Sequence, residues 1–164
     1  GAPSAWTLTL GLGYTANSLV EPDDRLHFDC CTGYALAAEV GYRFDEHHAV
    51  GVHLGFGGSS GTYGVDATPT SAYPMSVRPV DIEAFAQATA YDRLWGAFLL
   101  GAHYDAVTSA ATTTWLGGLG IGVEAGVDVV RSGMHRFGAF LRVDGTLMSA
   151  SGYGAITIGA AYRR

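Results

Sequence analysis

The stretch Trp115–Val129, WLGGLGIGVEAGVDV, constrains the fold more than any other part of the chain. Alternate positions fall into two unlike sets. One is Trp115, Gly117, Leu119, Ile121, Val123, Ala125, Val127 and Val129; the other is Leu116, Gly118, Gly120, Gly122, Glu124, Gly126 and Asp128. A period of two is that of a strand. Fifteen residues at roughly 3.3 Å each give a strand of about 50 Å, enough to cross a bilayer at a tilt. A soluble sheet covers its wet face with chain-solvating groups. Glycine covers this one. Large apolar groups outward with small or charged groups inward suit a barrel standing in lipid.

The same alternation recurs along the chain. Trp6, Leu8, Leu10, Leu12 and Tyr14 share one face of a first strand, and Tyr34, Leu36, Val40, Tyr42 and Phe44 one face of a second. Val50, Val52, Leu54 and Phe56 follow, then Val80, Ile82 and Ala84, then Phe98, Leu100 and Tyr104. Phe137, Leu141, Val143 and Leu147 mark the seventh strand; Ile156, Ile158 and Tyr162 mark the eighth. Trp95 has the wrong parity, which suggests a bulge. Between strands, short turns alternate with longer polar segments at 16–30, 58–79, 108–114 and 149–152, all expected to be loops. Tyr63, Tyr73, Met75 and three prolines make 58–79 the best candidate for a recognition loop. The expected fold is all-β: one domain over residues 1–164, an eight-stranded antiparallel up-and-down transmembrane β-barrel.

Aromatic residues give a second line of argument. Trp6, Tyr42, Phe44, Tyr91, Phe137 and Tyr162 lie at the short-turn ends of strands; Tyr14, Tyr34, Phe56, Tyr104, Trp115 and Tyr153 lie near the loop ends. Two such girdles are expected where amphipathic rings sit at the two headgroup levels. Composition agrees. Only 15 % of residues are charged, the net charge is −6 and every base is arginine, which excludes the basic footprint of a nucleic-acid binder. No apolar run approaches the ~18 residues of a membrane helix. The opening Gly1-Ala2-Pro3-Ser4-Ala5 has neither a basic stretch nor an apolar segment, as expected of a chain whose secretion signal has been removed.

The alternation, the strand count and the closing Gly159-Ala160-Ala161-Tyr162-Arg163-Arg164 resemble the eight-stranded outer membrane protein A and X type barrels of Gram-negative bacteria. Gly41-Tyr42-Arg43-Phe44 echoes the same wording, and Thr157, Gly159 and Tyr162 fit the family's assembly signal. The resemblance implies an outer-membrane location and contact with membrane lipids and lipopolysaccharide. It also implies that a protein partner would be met through the outer loops or the periplasmic turns. It does not select a function, because such barrels serve as anchors, adhesins, pores and enzymes.

The inward polar set is Glu39, Arg43, His53, Asp81, Glu83, His103, Asp105, Glu124, Asp128, Arg142 and Asp144. Charges inside a narrow barrel must be paired or wet, and Arg43 and Arg142 are natural partners for Glu39, Glu124 or Asp144. Asp105, Asp128 and Arg43, near strand ends, are expected to be solvated. Two readings compete: a plug of salt bridges, or a narrow, acid-lined, cation-preferring pore. A third is a loop-sited lipid-modifying enzyme, for which His27, Asp29, Ser59 and Ser60 are the available groups. Gly57-Gly58-Ser59-Ser60-Gly61 matches G-x-S-x-G in letters only, since it lacks the strand-to-helix turn of a nucleophile elbow. No catalytic residue, metal or cofactor is expected. Asp45-Glu46-His47-His48 reads as a solvated turn and not a chelate. The adjacent Cys30 and Cys31 are compatible with free thiols, a vicinal disulfide or an intermolecular bond. The leading expectation is a structural or adhesive scaffold that presents its loops outside the cell.

Overall fold

In the computed structural model, residues 5–20, 27–64, 72–109, 112–147 and 152–164 are described. They form eight strands: β1 (Trp6–Val20), β2 (His27–Arg43), β3 (His48–Gly64), β4 (Ala72–Ala90), β5 (Leu94–Ser109), β6 (Thr112–Ser132), β7 (His135–Thr146) and β8 (Gly152–Arg163). Each strand pairs antiparallel with the next. Pairing of β1 with β8, with Tyr14 opposite Ile158, closes the sheet into a barrel. Closure removes the sheet edge, the condition for placing strands in hydrocarbon.

The strands run further than the sequence suggests. Residues 16–20 and 27–30 belong to β1 and β2, and 58–64 and 72–79 to β3 and β4, so much of each expected loop is hairpin. Of the expected loop 108–114, residues 108–109 belong to β5 and 112–114 to β6; 110 and 111 lie outside the described residues. Of 149–152, only Gly152 is described, and it opens β8. The misreading has a physical cause. Above the bilayer a strand's outer face meets water, so Ser60, Thr62, Pro74 and Ser76 carry no apolar signal while the ladder continues beneath them. Met75, expected in a recognition loop, is buried in the lumen. The side chains of Tyr63 and Tyr73 lie outside the described residues.

Most large apolar side chains face outward and are exposed. Leu12, Val52, Ile82, Val123, Val143 and Ile158 form part of a continuous apolar band. Water would not tolerate so large a patch, and lipid requires it. Ring contacts join the short-turn girdle: Trp6 meets Tyr42 edge-on at 5.9 Å, and Phe137 lies 5.1 Å from Tyr162. The glycine face turns inward, where it accommodates aromatic rings from other strands. Phe85 lies over Gly41 and Gly51; Phe140 covers Gly11 and Gly159; Trp95 occupies the space beside Gly126. Trp95 needs no bulge. The ladders on both sides of it run without a shift, and its ring points into the lumen.

Candidate functional site

The lumen is the candidate site, and cross-strand neighbours build it. Glu39 stands opposite His53 on β2 and β3, Asp81 opposite His103 on β4 and β5, and Glu124 opposite Arg142 on β6 and β7. Side chains so placed on one face lie within reach of each other. All six point inward because the parity that sends their neighbours into lipid sends them to the axis.

Arg142 ties opposite walls together. Its Nη1 donates to His53 Nε2 at 2.6 Å, and His53 Nδ1–H donates to Glu39 Oε1 at 3.0 Å. An acceptor at Nε2 requires the neutral tautomer with the proton on Nδ1, so the chain guanidinium–imidazole–carboxylate has one direction. Arg142 Nε lies 3.6 Å from Glu124 Oε2 and 3.5 Å from Asp144 Oδ2. His103 is different. Asp81 faces its Nδ1 and Asp105 its Nε2, the latter at 2.8 Å, so it donates from both nitrogens as an imidazolium. The Tyr153 ring lies 4.3 Å from the imidazole, centroid to centroid. Glu83 is buried beside Gly120, whose missing side chain leaves room for its carboxylate.

Neutral groups extend the network toward the loop end. Thr157 donates to Thr15, Thr15 to Asn17, and Asn17 Nδ2 to Ser59 Oγ at 2.7 Å. Ser59, the serine of the G-x-S-x-G match, is thus a strut between strands. Above this layer Cys31, Met75, Val77, Tyr153 and Ala155 pack as an apolar cap. At the other end Arg163 pairs with Asp128 at 3.2 Å and stacks 4.6 Å from the Trp95 ring. The lumen space bordered by Thr15, Asp81, Arg142, Asp144 and Tyr153 holds about 20 Å³, room for about one water.

Several expectations need correction. Tyr153 is not a girdle residue; it is 8 % exposed and faces His103, as its odd number beside outward Ile156 and Ile158 already implies. Tyr91 lies in the β4–β5 turn, beyond the strand end. Asp105 and Asp128 are buried and paired, not solvated. Arg43 is half-buried at the end of β2, and among the described residues it meets no carboxylate. Arg163, Asn17, Thr15, Thr157 and Trp95 were absent from the inward set, although the parity of their strands marks them. Cys31 is disulfide-bonded, which excludes a free thiol there, and the β1–β2 register slips past Cys30. No cluster of three or more metal-binding side chains occurs among the described residues. In the 45–48 turn, Asp45 accepts from the backbone N–H of His47 and His48 and holds the His48 ring.

Comparison with known proteins bears on architecture. No family model matches the chain, and no curated protein does. Among solved structures, Ail, the attachment invasion locus protein of Yersinia pestis, matches with a TM-score of 0.68 at 15 % identity, covering 96 % of this chain and 98 % of Ail. The chain has the fold of the small outer-membrane β-barrels. Ail in complex with the heparin analogue sucrose octasulfate gives 0.69 at 14 % identity, over 97 % of this chain and 99 % of that one. Outer membrane protein OprG from Pseudomonas aeruginosa gives 0.57 at 11 % identity over 98 % and 96 %. Neisserial surface protein A gives 0.54 at 10 % over 94 % and 95 %.

Proposed function

We propose that the protein is a non-conducting anchor in the outer membrane of a Gram-negative bacterium, which presents its outer hairpins as a recognition surface. The carrying observation is the filled lumen. Arg142 bridges opposite walls to His53 and Glu39, and the space around it holds about one water. Ion passage would require breaking that bridge and exposing an uncompensated charge, which costs several kcal/mol. The hairpins β1–β2 and β3–β4 rise beyond the Tyr14, Tyr34 and Phe56 level and carry the exposed surface.

The heparin analogue on Ail supports recognition by such a barrel, but the ligand chemistry here differs. The outer segments hold Glu21, Asp23, Asp24, Asp29 and Asp66 against Arg25 and Arg78, a poor match for a polyanion. Lipopolysaccharide surrounds the barrel in this reading as its solvent. The reading includes no catalytic step, because the Ser59 hydroxyl is committed to Asn17 and Val77. Lipid A mass spectra are therefore expected to be identical in cells with and without the protein.

Planar-bilayer recording tests the main claim. Purified protein is expected to give no conductance steps. Steps in the wild type that a Glu124→Gln/Asp144→Asn variant alters would replace the anchor by the acid-lined pore.

A further inference from the structure

The short-turn end, which faces the periplasm in barrels of this kind, carries most of the molecule's positive charge. Six of nine arginines, Arg43, Arg93, Arg131, Arg136, Arg163 and Arg164, lie there against four of fifteen acids, Asp45, Glu46, Asp92 and Asp128. This end is at +2 in a chain of −6, so the lumen and the outer end together carry −8.

Three of these arginines form one row. Arg131 stands opposite Arg136, and Arg136 opposite Arg163, across β6, β7 and β8. A bulge decides which way the row faces. The β6–β7 register slips between Asp128 and Val130, leaving Val129 extra. Without the slip, Val130 would follow Asp128 into the lumen and Arg131 would enter the lipid face. With it, Val130 and Phe137 face lipid, 55 % and 51 % exposed, and Arg131 joins Arg136 and Arg163 at the mouth.

The row has cation to spare. Asp128 is shared, 3.2 Å from Arg163 and 3.4 Å from Arg136. Each guanidinium has five N–H donors, and one carboxylate cannot occupy them all. Arg131 is exposed and meets no carboxylate among the described residues. We propose that this mouth docks an acidic peptide segment that lies across it on the periplasmic side. Phospholipid headgroups are a poorer fit, because they surround the wall at Val130, Phe137 and Tyr162 and the row faces away from them. Adjacent strands stand about 4.8 Å apart, so the row spans about 10 Å, long enough to engage two same-face acidic side chains, about 7 Å apart, of an extended peptide lying along it. Guanidinium pairs bind carboxylates bidentately, which gives the site its geometry.

Trp95, under Arg163, supplies the reporter. The experiment uses protein in phosphatidylcholine nanodiscs in a Trp6→Phe/Trp115→Phe background, titrated with tetraglutamate and, as the neutral control, tetraglutamine. Calorimetry reads affinity and fluorescence reads Trp95. Saturable, salt-sensitive binding of tetraglutamate alone, with a change at Trp95, is expected. Arg131→Gln/Arg136→Gln leaves the Asp128–Arg163 pair in place and is expected to weaken binding at least tenfold. Arg78→Gln, at the other end, is expected to leave it unchanged. Heat-modifiable migration on gels verifies that each variant is folded. No binding up to millimolar peptide, binding unaffected by the double variant, or binding silent at Trp95 would each overturn the site. So would a response that appears only in phosphatidylglycerol discs, which would assign the arginines to lipid.

Discussion

Arg142 stands among His53, Glu124 and Asp144, and its removal strands all three. Arg142→Met is expected to destabilise the barrel by about 3–5 kcal/mol, read as the urea midpoint in lipid vesicles. Adding Glu124→Gln and Asp144→Asn is expected to restore most of the loss, because the stranded charges are then gone. Asp45 makes a separate prediction in the solvated β2–β3 turn. The backbone N–H of His47, then the His48 ring, hold its carboxyl below the ordinary value of 3.8. A depressed carboxylate contributes fully above its unfolded value and loses that contribution as pH falls through the folded one. Protection of the His47 and His48 amides is therefore expected to hold down to about pH 4 and to fall below it. Asp45→Asn removes that acid step, as hydrogen exchange would show.

Turns and bulges set the elements. Tyr91 and Asp92 both have positive φ, 51° and 59°, in the β4–β5 hairpin. Primed hairpin turns of this kind favour Asn-Gly, so Tyr91→Asn/Asp92→Gly is expected to stabilise the barrel by about 1 kcal/mol, measured at the same urea midpoint. Deleting Val129 removes only the extra residue and leaves Val130 opposite Phe137 and Arg131 opposite Arg136, so the folded yield on gels is expected to hold. Strand identity was legible wherever one face met lipid, as in Trp115–Val129, because lipid imposes a strict period of two. It was illegible at 58–64 and 72–79, where both faces avoid lipid and Gly, Ser and Pro imitate a loop. The bulge at Val129 left no mark in composition. Pairings such as Glu124 with Arg142 were within reach of parity alone. The Arg142–His53 bridge was not, since β3 and β7 meet only through the curvature of the closed barrel.

For the molecule as a whole, the three tryptophans divide the space. Trp6 and Trp115 are 65 % and 67 % exposed on the outer wall, and Trp95 is 4 % exposed within. Single-tryptophan variants in brominated lipids are expected to show strong quenching of Trp6 and Trp115 and little of Trp95. Equal quenching of all three would invert the inside–outside assignment. Charge is distributed as unevenly as polarity, with acids in the lumen and arginines at one mouth. That polarisation was visible in the sequence once strand ends were placed, because arginine positions cluster at 131–136 and 163–164.

Phe140 sits on β7, yet its ring covers Gly11 of β1 and Gly159 of β8. These two glycines flank the line where the first and last strands meet. While the chain is still an open sheet, the pocket for that ring is incomplete, because its two halves are at opposite ends of the structure. Closing the circle and completing the pocket are therefore one event. Phe140 thus commits part of its packing to closure: Gly159 already lies beside it in the β7–β8 ladder, and Gly11 arrives only when β1 pairs with β8.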